Sequence, residues 1–297
     1  MIPLVRSILF VPGDSERKIE KSKALSADAL VLDLEDSVAP ARKVIAREMT
    51  AAHLKGGNFR KGTVQWVRIN PLNTPEALQD LAAVVPGRPA CILQPKVDGP
   101  ADVQRLSFYL DALEARDGIP GGTIKILPVV TETAAAPFSL GEYASAGLVR
   151  LYGLTWGAED LSAAIGAATN KDEHGDLALT YRMVRSLTLL AAKACDVEAV
   201  DTVYPDYKNL EGLKQSCVNS RREGFSGRFA IHPDQIDVIN EAFSPSAADI
   251  AFAERVVAAF AAADTGVVGI DGRMLDKPHL TAAEKMLSMR DALAARQ

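Results

Sequence analysis

A chain of 297 residues with 48% hydrophobic and 24% charged residues has the composition of a folded protein with a substantial core. Its formal net charge of −5 argues against a sequence-independent nucleic-acid binder, which needs a basic surface. The first apolar run stops at Pro12 and Gly13. No window approaches the roughly 18 uninterrupted apolar residues of a membrane span, so neither a signal peptide nor a membrane anchor is expected. Cys91, Cys195 and Cys217 are odd in number and lack metal-ligand spacing, which fits reduced thiols of a cytoplasmic protein.

Short runs rich in Val, Ile and Leu alternate along the chain with longer helical patterns. The strand runs are Ser7–Val11, Ala29–Leu34, Val64–Ile69, Ala90–Leu93, Ile124–Val130, Leu148–Leu154, Ala199–Val203 and Arg228–Ile231. Continuous apolar runs of this length suit strands buried on both faces of a parallel sheet. Helices are expected over Glu16–Ala27, Ala39–Lys55, Thr74–Val84, Pro100–Ala115, Thr133–Ala144, Leu161–Ala168, Thr180–Cys195 and Asn209–Glu223. Pro40 and Pro75 suit first helical turns. Eight such units with no Pro/Gly/Ser-rich linker predict a (β/α)8 TIM barrel over residues 1–240. Residues 241–297 are then expected to form a C-terminal helical extension that serves as a bottom plug, a lid or a contact with a neighbouring subunit. In it Ser246 and Asp249 stand in capping-box positions, an apolar run holds the Asp271-Gly272 turn, and Pro278 starts a final helix.

A TIM barrel carries its active site at the C-terminal ends of its strands. Those positions hold Asp14, the acids Asp33, Glu35 and Asp36, then Arg68, Lys96, Glu132, Glu159, Asp160 and His232. Glu132 and Asp160, each closing an apolar run beside small or hydroxyl residues, are the best pair for a Mg2+ site. The acids Asp33–Asp36 are placed to orient Arg68 or metal-bound water. Arg68 offers a planar fork for a substrate carboxylate, and a structural ion pair with the same acids is compatible with that. His232 reads either as a site residue or as a buried histidine satisfied by backbone. The Gly13 turn, before a helix with Arg17, Lys18 and Lys21, suits a phosphate. No Ser-His-Asp order, nucleophile elbow or Walker glycine pattern occurs.

With these residues in view, the chain resembles the citrate lyase β-subunit/malyl-CoA lyase/citramalyl-CoA lyase family of the HpcH/HpaI aldolase-like superfamily. The resemblance runs from Arg6 to the last helix. It rests on RSILFVPGDSERKIEKS, ADALVLDLEDSVAP, VRINPLNTP, ILPVVTETA, GAEDLSAAIG, AIHPDQI and GRMLDKPH. It implies a Mg2+-dependent TIM barrel, homotrimeric or hexameric. Such an enzyme cleaves or forms the bond between a small 2-oxo acid and an acyl-CoA thioester. On this likeness Glu132 and Asp160 match metal ligands and Arg68 matches the carboxylate clamp. Phe10, Pro12, Gly13, Arg17 and Lys21 match the coenzyme A segment, and Ile231 and His232 match the thioester-side contact. Asp276 matches an acid/base aspartate supplied by a neighbouring subunit, although a plain helix-start role fits it too. Arg17 and Arg228 stand where lysine is commoner.

The implied chemistry suits these residues. On the same likeness Glu35, Asp36, Glu132, Ala158 and Glu159 are expected to border the substrate, with backbone N–H groups near Glu159 and Asp160 placed to stabilise oxyanion character. Two other readings stay open. One is a citrate lyase β-subunit whose thioester rides on an acyl carrier protein. The other is a thioesterase or a non-lyase that binds a 2-oxo acid. Malyl, β-methylmalyl and citramalyl groups differ by too little for one sequence to choose among them.

Overall fold

The computed structural model describes residues 4–263 and 266–295. Eight parallel strands run β1 (Ser7–Pro12), β2 (Ala29–Asp33), β3 (Val64–Arg68), β4 (Cys91–Gln94), β5 (Lys125–Pro128), β6 (Gly153–Thr155), β7 (Glu198–Asp201) and β8 (Gly227–Ala230). Their order is β5-β4-β3-β2-β1-β8-β7-β6, and parallel bridges Ile126–Leu151 and Val129–Thr155 join the two ends. The result is the expected barrel. Side chains alternate across each strand. Ile8, Val31, Trp66, Leu93, Leu127, Val200 and Phe229 fill the interior, while Leu9, Leu30, Val67, Ile92, Leu154 and Ala199 face the helices.

The surrounding helices are α1 (Glu16–Ser22), α2 (Lys43–Gly56), α3 (Pro75–Val84), α4 (Pro100–Arg116), α5 (Ala158–Ala164), α6 (Leu179–Ala194), α7 (Leu210–Glu223) and α8 (Gln235–Ala242). Three local expectations are corrected. The Thr133–Ala144 segment is a 3-10 helix over Ala136–Ser145 and not an α-helix. Strand six does not begin at Leu148. Gly147 turns the chain at φ 64, and Arg150 is buried outside the strand, where Glu114 (2.6 Å) and Asp111 neutralise it. The following helix begins at Ala158 and not at Leu161, so Glu159 and Asp160 lie in a first helical turn and not on a strand end.

Beyond the barrel, α9 (Ala247–Ala262) starts at the Ser246–Asp249 capping box, as its sequence suggests. The hairpin of β9 (Val267–Ile270) and β10 (Arg273–Asp276) turns at Asp271-Gly272 and leads into α10 (Lys277–Ala294). Ala253, Val256, Ile270, Leu275 and Ala283 form a separate small apolar cluster. This tail therefore carries a core of its own. Among the described residues no helix is long and apolar enough to cross a membrane. The cysteines are free: Cys91 and Cys217 are buried and Cys195 is partly covered.

One buried network ties β7 to the outer helices. Asp201 is fully buried and accepts from Arg228 (2.6 Å), Arg185 (3.0 Å), Ser220 (2.6 Å) and the Trp156 indole (2.7 Å). Burial pushes its carboxyl up, but the Arg228 and Arg185 guanidiniums and the Ser220 hydrogen bond outweigh that and hold it well below the usual carboxylate range. Removing one partner of such a group costs about 3–5 kcal/mol. Asp201→Asn is therefore expected to lower the urea midpoint sharply at pH 7. A depressed carboxyl contributes fully above its unfolded pKa of about 4 and loses its contribution as pH falls through its folded value. The stability gap to the parent should accordingly narrow below about pH 4. A gap that is constant from pH 7 to pH 3 would contradict this account.

Candidate active site

Of the polar residues expected at the strand ends, Asp33, Glu35, Asp36, Arg68, Lys96, Glu132 and Asp160 meet, whereas Asp14 pairs with Arg42 and Glu159 and His232 find other partners. Asp33 ends β2 and pairs in register with Arg68, the last residue of β3. Arg68 donates from Nε and Nη2 to the two Asp33 oxygens at 2.7 and 2.8 Å, and Nη1 lies 3.0 Å from Glu35 Oε2 and 3.7 Å from Asp36. Its guanidinium sits 4.8 Å over the Phe10 ring, which stacks on Phe229. The structural ion pair is thus real. Asp33 occupies the Nε–Nη2 edge of the fork and Glu35 already faces Nη1, so a ligand carboxylate would share the outer Nη1–Nη2 edge with Glu35.

Glu132 follows β5 and is buried, while Asp160 in α5 is about one-third exposed. Lys96, just after β4, links them. Its backbone N–H donates to Glu132 Oε2 at 2.7 Å, and its ammonium lies 3.3 Å from Asp160 Oδ1, 3.3 Å from Asp36 and against Glu35. Gly157 packs closely behind Glu132, where a Cβ would stand 3.0 Å from Glu132 Cγ and press on that side chain. Burial pushes Glu132 up to about 8, assisted by the charges of Asp160 and Glu35. Burial likewise raises Glu35 to about 7, against the opposing pull of Arg68 and Lys96.

These acids are a fit for a hard divalent cation. The donors are all oxygen, two carboxylates suffice when waters and substrate oxygens complete the shell, and a dication would relieve the unmet negative charge on Glu132. No group of three or more His, Cys, Asp or Glu gathers with metal-ligand geometry among the described residues. Glu159 turns away from the pair and accepts from Asn170 at 2.8 Å. The backbone N–H groups of Ala158 and Glu159 belong to the first turn of α5, whose amides have no partner within the helix.

Around the rim, Gly13 permits a close crossing of β1 and β2: its N–H donates to Asp33 O at 2.8 Å and a Cβ would stand 2.8 Å from that oxygen. Pro12 ends β1, and Arg17 and Lys21 are exposed on α1. Ile231 is 42% exposed, and its N–H donates to buried Gln235. His232 is not a buried histidine. Its side chain is 40% exposed and its ring stacks on Tyr207 at 4.7 Å. Arg228 is buried and ion-paired with Asp201 at 2.6 Å. Asp276 caps α10, with its carboxylate 2.5 Å from His279 Nδ1, and these hydrogen bonds stay within the tail.

The parallel barrel with its C-terminal extension has known counterparts. The model of the HpcH/HpaI aldolase/citrate lyase family matches residues 6–233. The chain belongs to that family. Among its relatives, a (3S)-malyl-CoA thioesterase of Cereibacter sphaeroides is 35% identical over 98% of this chain and 96% of its own length. The mitochondrial citramalyl-CoA lyase of Rattus norvegicus is 32% identical over 97% of this chain and 86% of its own. A crystal structure of the CitE protein of Mycobacterium tuberculosis, in complex with magnesium, acetoacetate and coenzyme A, superposes with a TM-score of 0.80 at 32% identity. It covers 98% of this chain and all of that one. The family thus includes both lyases and thioesterases of CoA esters, and the barrel with its C-terminal extension is shared with CitE. Lys96 is the site residue whose part was least visible in the sequence. Its backbone contact with Glu132 spans 36 positions and leaves no local signal.

Proposed function

We propose that this chain is a magnesium-dependent carbon–carbon lyase, or synthase in the reverse sense, acting on a 3-hydroxyacyl-CoA thioester of the malyl, β-methylmalyl or citramalyl kind. The products of cleavage are a 2-oxo acid and an acyl-CoA. The observation that carries the reading is the acid pair Glu132 and Asp160, gripped by Lys96 beside Arg68 on the catalytic rim. Glu132 and Asp160 would hold Mg2+, which when bound supplies Lewis-acid polarisation of a substrate oxygen. Arg68 binds the carboxylate of the 2-oxo acid half through its outer Nη1–Nη2 edge, which it shares with Glu35. Glu35 and Asp36 keep that guanidinium in place and border the substrate. Backbone N–H groups of Ala158 and Glu159 face the oxygen on which charge develops.

Cleavage passes the hydroxyl proton to Asp276 of a neighbouring subunit, acting as base, breaks the carbon–carbon bond and sends the electron pair into the thioester as an enolate. Asp276 of a neighbouring subunit returns a proton to the enolate carbon, which makes the protein an obligate oligomer, a homotrimer or hexamer. Coenzyme A lies across Phe10, Pro12 and Gly13, with its phosphates toward Arg17 and Lys21 and its thioester end toward Ile231 and His232. In this reading residues 1–240 are the catalytic barrel and 241–297 the lid.

Hydrolysis of the thioester is the second reading, favoured by the 35% identity to a malyl-CoA thioesterase. A third is the β-subunit of a citrate lyase, for which the thioester is carried on an acyl carrier protein. One experiment separates them. The purified protein is incubated with malyl-, β-methylmalyl- and citramalyl-CoA and Mg2+, and both free thiol and 2-oxo acid are measured. A lyase releases 2-oxo acid without thiol, and a thioesterase releases thiol without 2-oxo acid. Turnover is expected in the first pattern and should stop with EDTA. Thiol release alone, or activity only on carrier-protein thioesters, would replace the proposal.

A further inference from the structure

Lys96 has a backbone conformation that few residues adopt. Its φ is 51°, in the left-handed region that side chains usually avoid. That turn sends its two polar groups to different acids. The N–H points at Glu132 Oε2, 2.7 Å away, while the ammonium reaches back to Glu35, Asp36 and Asp160. One residue therefore grips both carboxylates of the candidate metal pair, Glu132 through its backbone and Asp160 through its side chain. Among the described residues, Lys96 and Arg68 supply every ion pair recorded to Glu35, Asp36 and Asp160.

We propose that Lys96 is a positioning residue with two separable parts: its N–H fixes Glu132, and its ammonium is a resident counter-cation that yields Asp160 to an incoming divalent cation. The inference rests on Glu132 and Asp160 being the metal ligands. An ammonium 3.3 Å from Asp160 Oδ1 and a dication on the same carboxylate repel each other at that separation. The displaced ammonium has a seat ready, because Glu35 already contacts it and Asp36 lies 3.3 Å away. The retreat from Asp160 therefore needs rotation of one flexible side chain and no movement of the barrel. Two consequences follow. The metal-free acid cluster is held together by Lys96, and metal affinity is lower than the acids alone would give.

Both consequences are measured without turnover. Mg2+ titration by calorimetry and thermal unfolding with and without Mg2+ are run on the parent, Lys96→Met, Lys96→Arg, Lys96→Gly and Glu132→Ala. Lys96→Met should bind Mg2+ about ten-fold more tightly than the parent, since the competing charge is gone. Without metal it should unfold at a lower temperature than the parent, and saturating Mg2+ should close most of that gap. Lys96→Gly accepts the positive φ with no ammonium, so it should repeat both results even if the methionine variant folds poorly. Lys96→Arg keeps the charge and should restore the metal-free unfolding temperature. Unchanged or weaker Mg2+ binding in Lys96→Met and Lys96→Gly, with the parent binding normally, would overturn the counter-cation role. A parent that binds Mg2+ no better than Glu132→Ala would instead overturn the ligand assignment, and this inference with it.

Discussion

Glu132→Ala and Asp160→Ala should each lower the Mg2+-dependent rate by about a thousand-fold, because loss of a ligand removes several kcal/mol of charge stabilisation at the reacting oxygen. The fold should survive both changes. Asp160 is partly exposed in the first turn of a short helix, so its removal leaves little uncompensated. Glu132 is buried, and alanine there strands the Lys96 N–H, at a cost of about 1–3 kcal/mol. Glu132→Gln keeps an acceptor for that N–H and removes the charge, so it separates packing from metal binding. It should unfold close to the parent temperature and still fail to bind Mg2+. Steady-state rates, a Mg2+ titration and thermal unfolding of the three variants check this. Full activity in Glu132→Ala or Asp160→Ala would remove the pair from the site.

Asp276→Asn should lose most turnover while still binding substrate, since an amide keeps the shape but cannot pass the proton. Asp276 sits on a hairpin with its own small core, and its hydrogen bonds stay with His279 inside the tail. Among the described residues its side-chain partner is His279 of the same tail, which suits an acid delivered to a neighbour. Asn at this helix cap still accepts hydrogen bonds, so stability should change by only a few tenths of a kcal/mol. The decisive measurement mixes Asp276→Asn subunits with inactive Glu132→Ala subunits under conditions of proven exchange. If the acid acts in trans, roughly a quarter of the sites in randomly assorted oligomers combine an intact barrel with an intact tail. Activity then returns from two inactive preparations. Mixed oligomers that stay inactive would place Asp276 in cis, and full activity of Asp276→Asn alone would leave it a helix cap.

The sequence by itself determined the barrel. Apolar runs such as Ala29–Asp33 and Val64–Arg68 pack on both faces, and that burial is a local property of each run, readable from period and length. The acids and arginine at the strand ends were legible for the same reason, because the end of an apolar run is marked in the chain. So was the α9 capping box, whose two partners stand three positions apart.

Only the tertiary structure decided how these groups divide their bonds. Arg68 has several acids within reach in the sequence, and the β2–β3 register assigns one edge of its fork to Asp33. Asp160 moved from an expected strand end to a helix start, since β6 closes early at Thr155 and Gly157 leaves room for Glu132. His232 proved exposed against Tyr207, and Asp201 proved to be the buried anchor of two arginines, neither of which any local pattern announces. Lys96 joins Glu132 and Asp160 across three strand ends. Such pairings depend on which distant segments the closed barrel sets side by side and on how much water that closure excludes. Neither quantity is written in the neighbours of a residue along the chain.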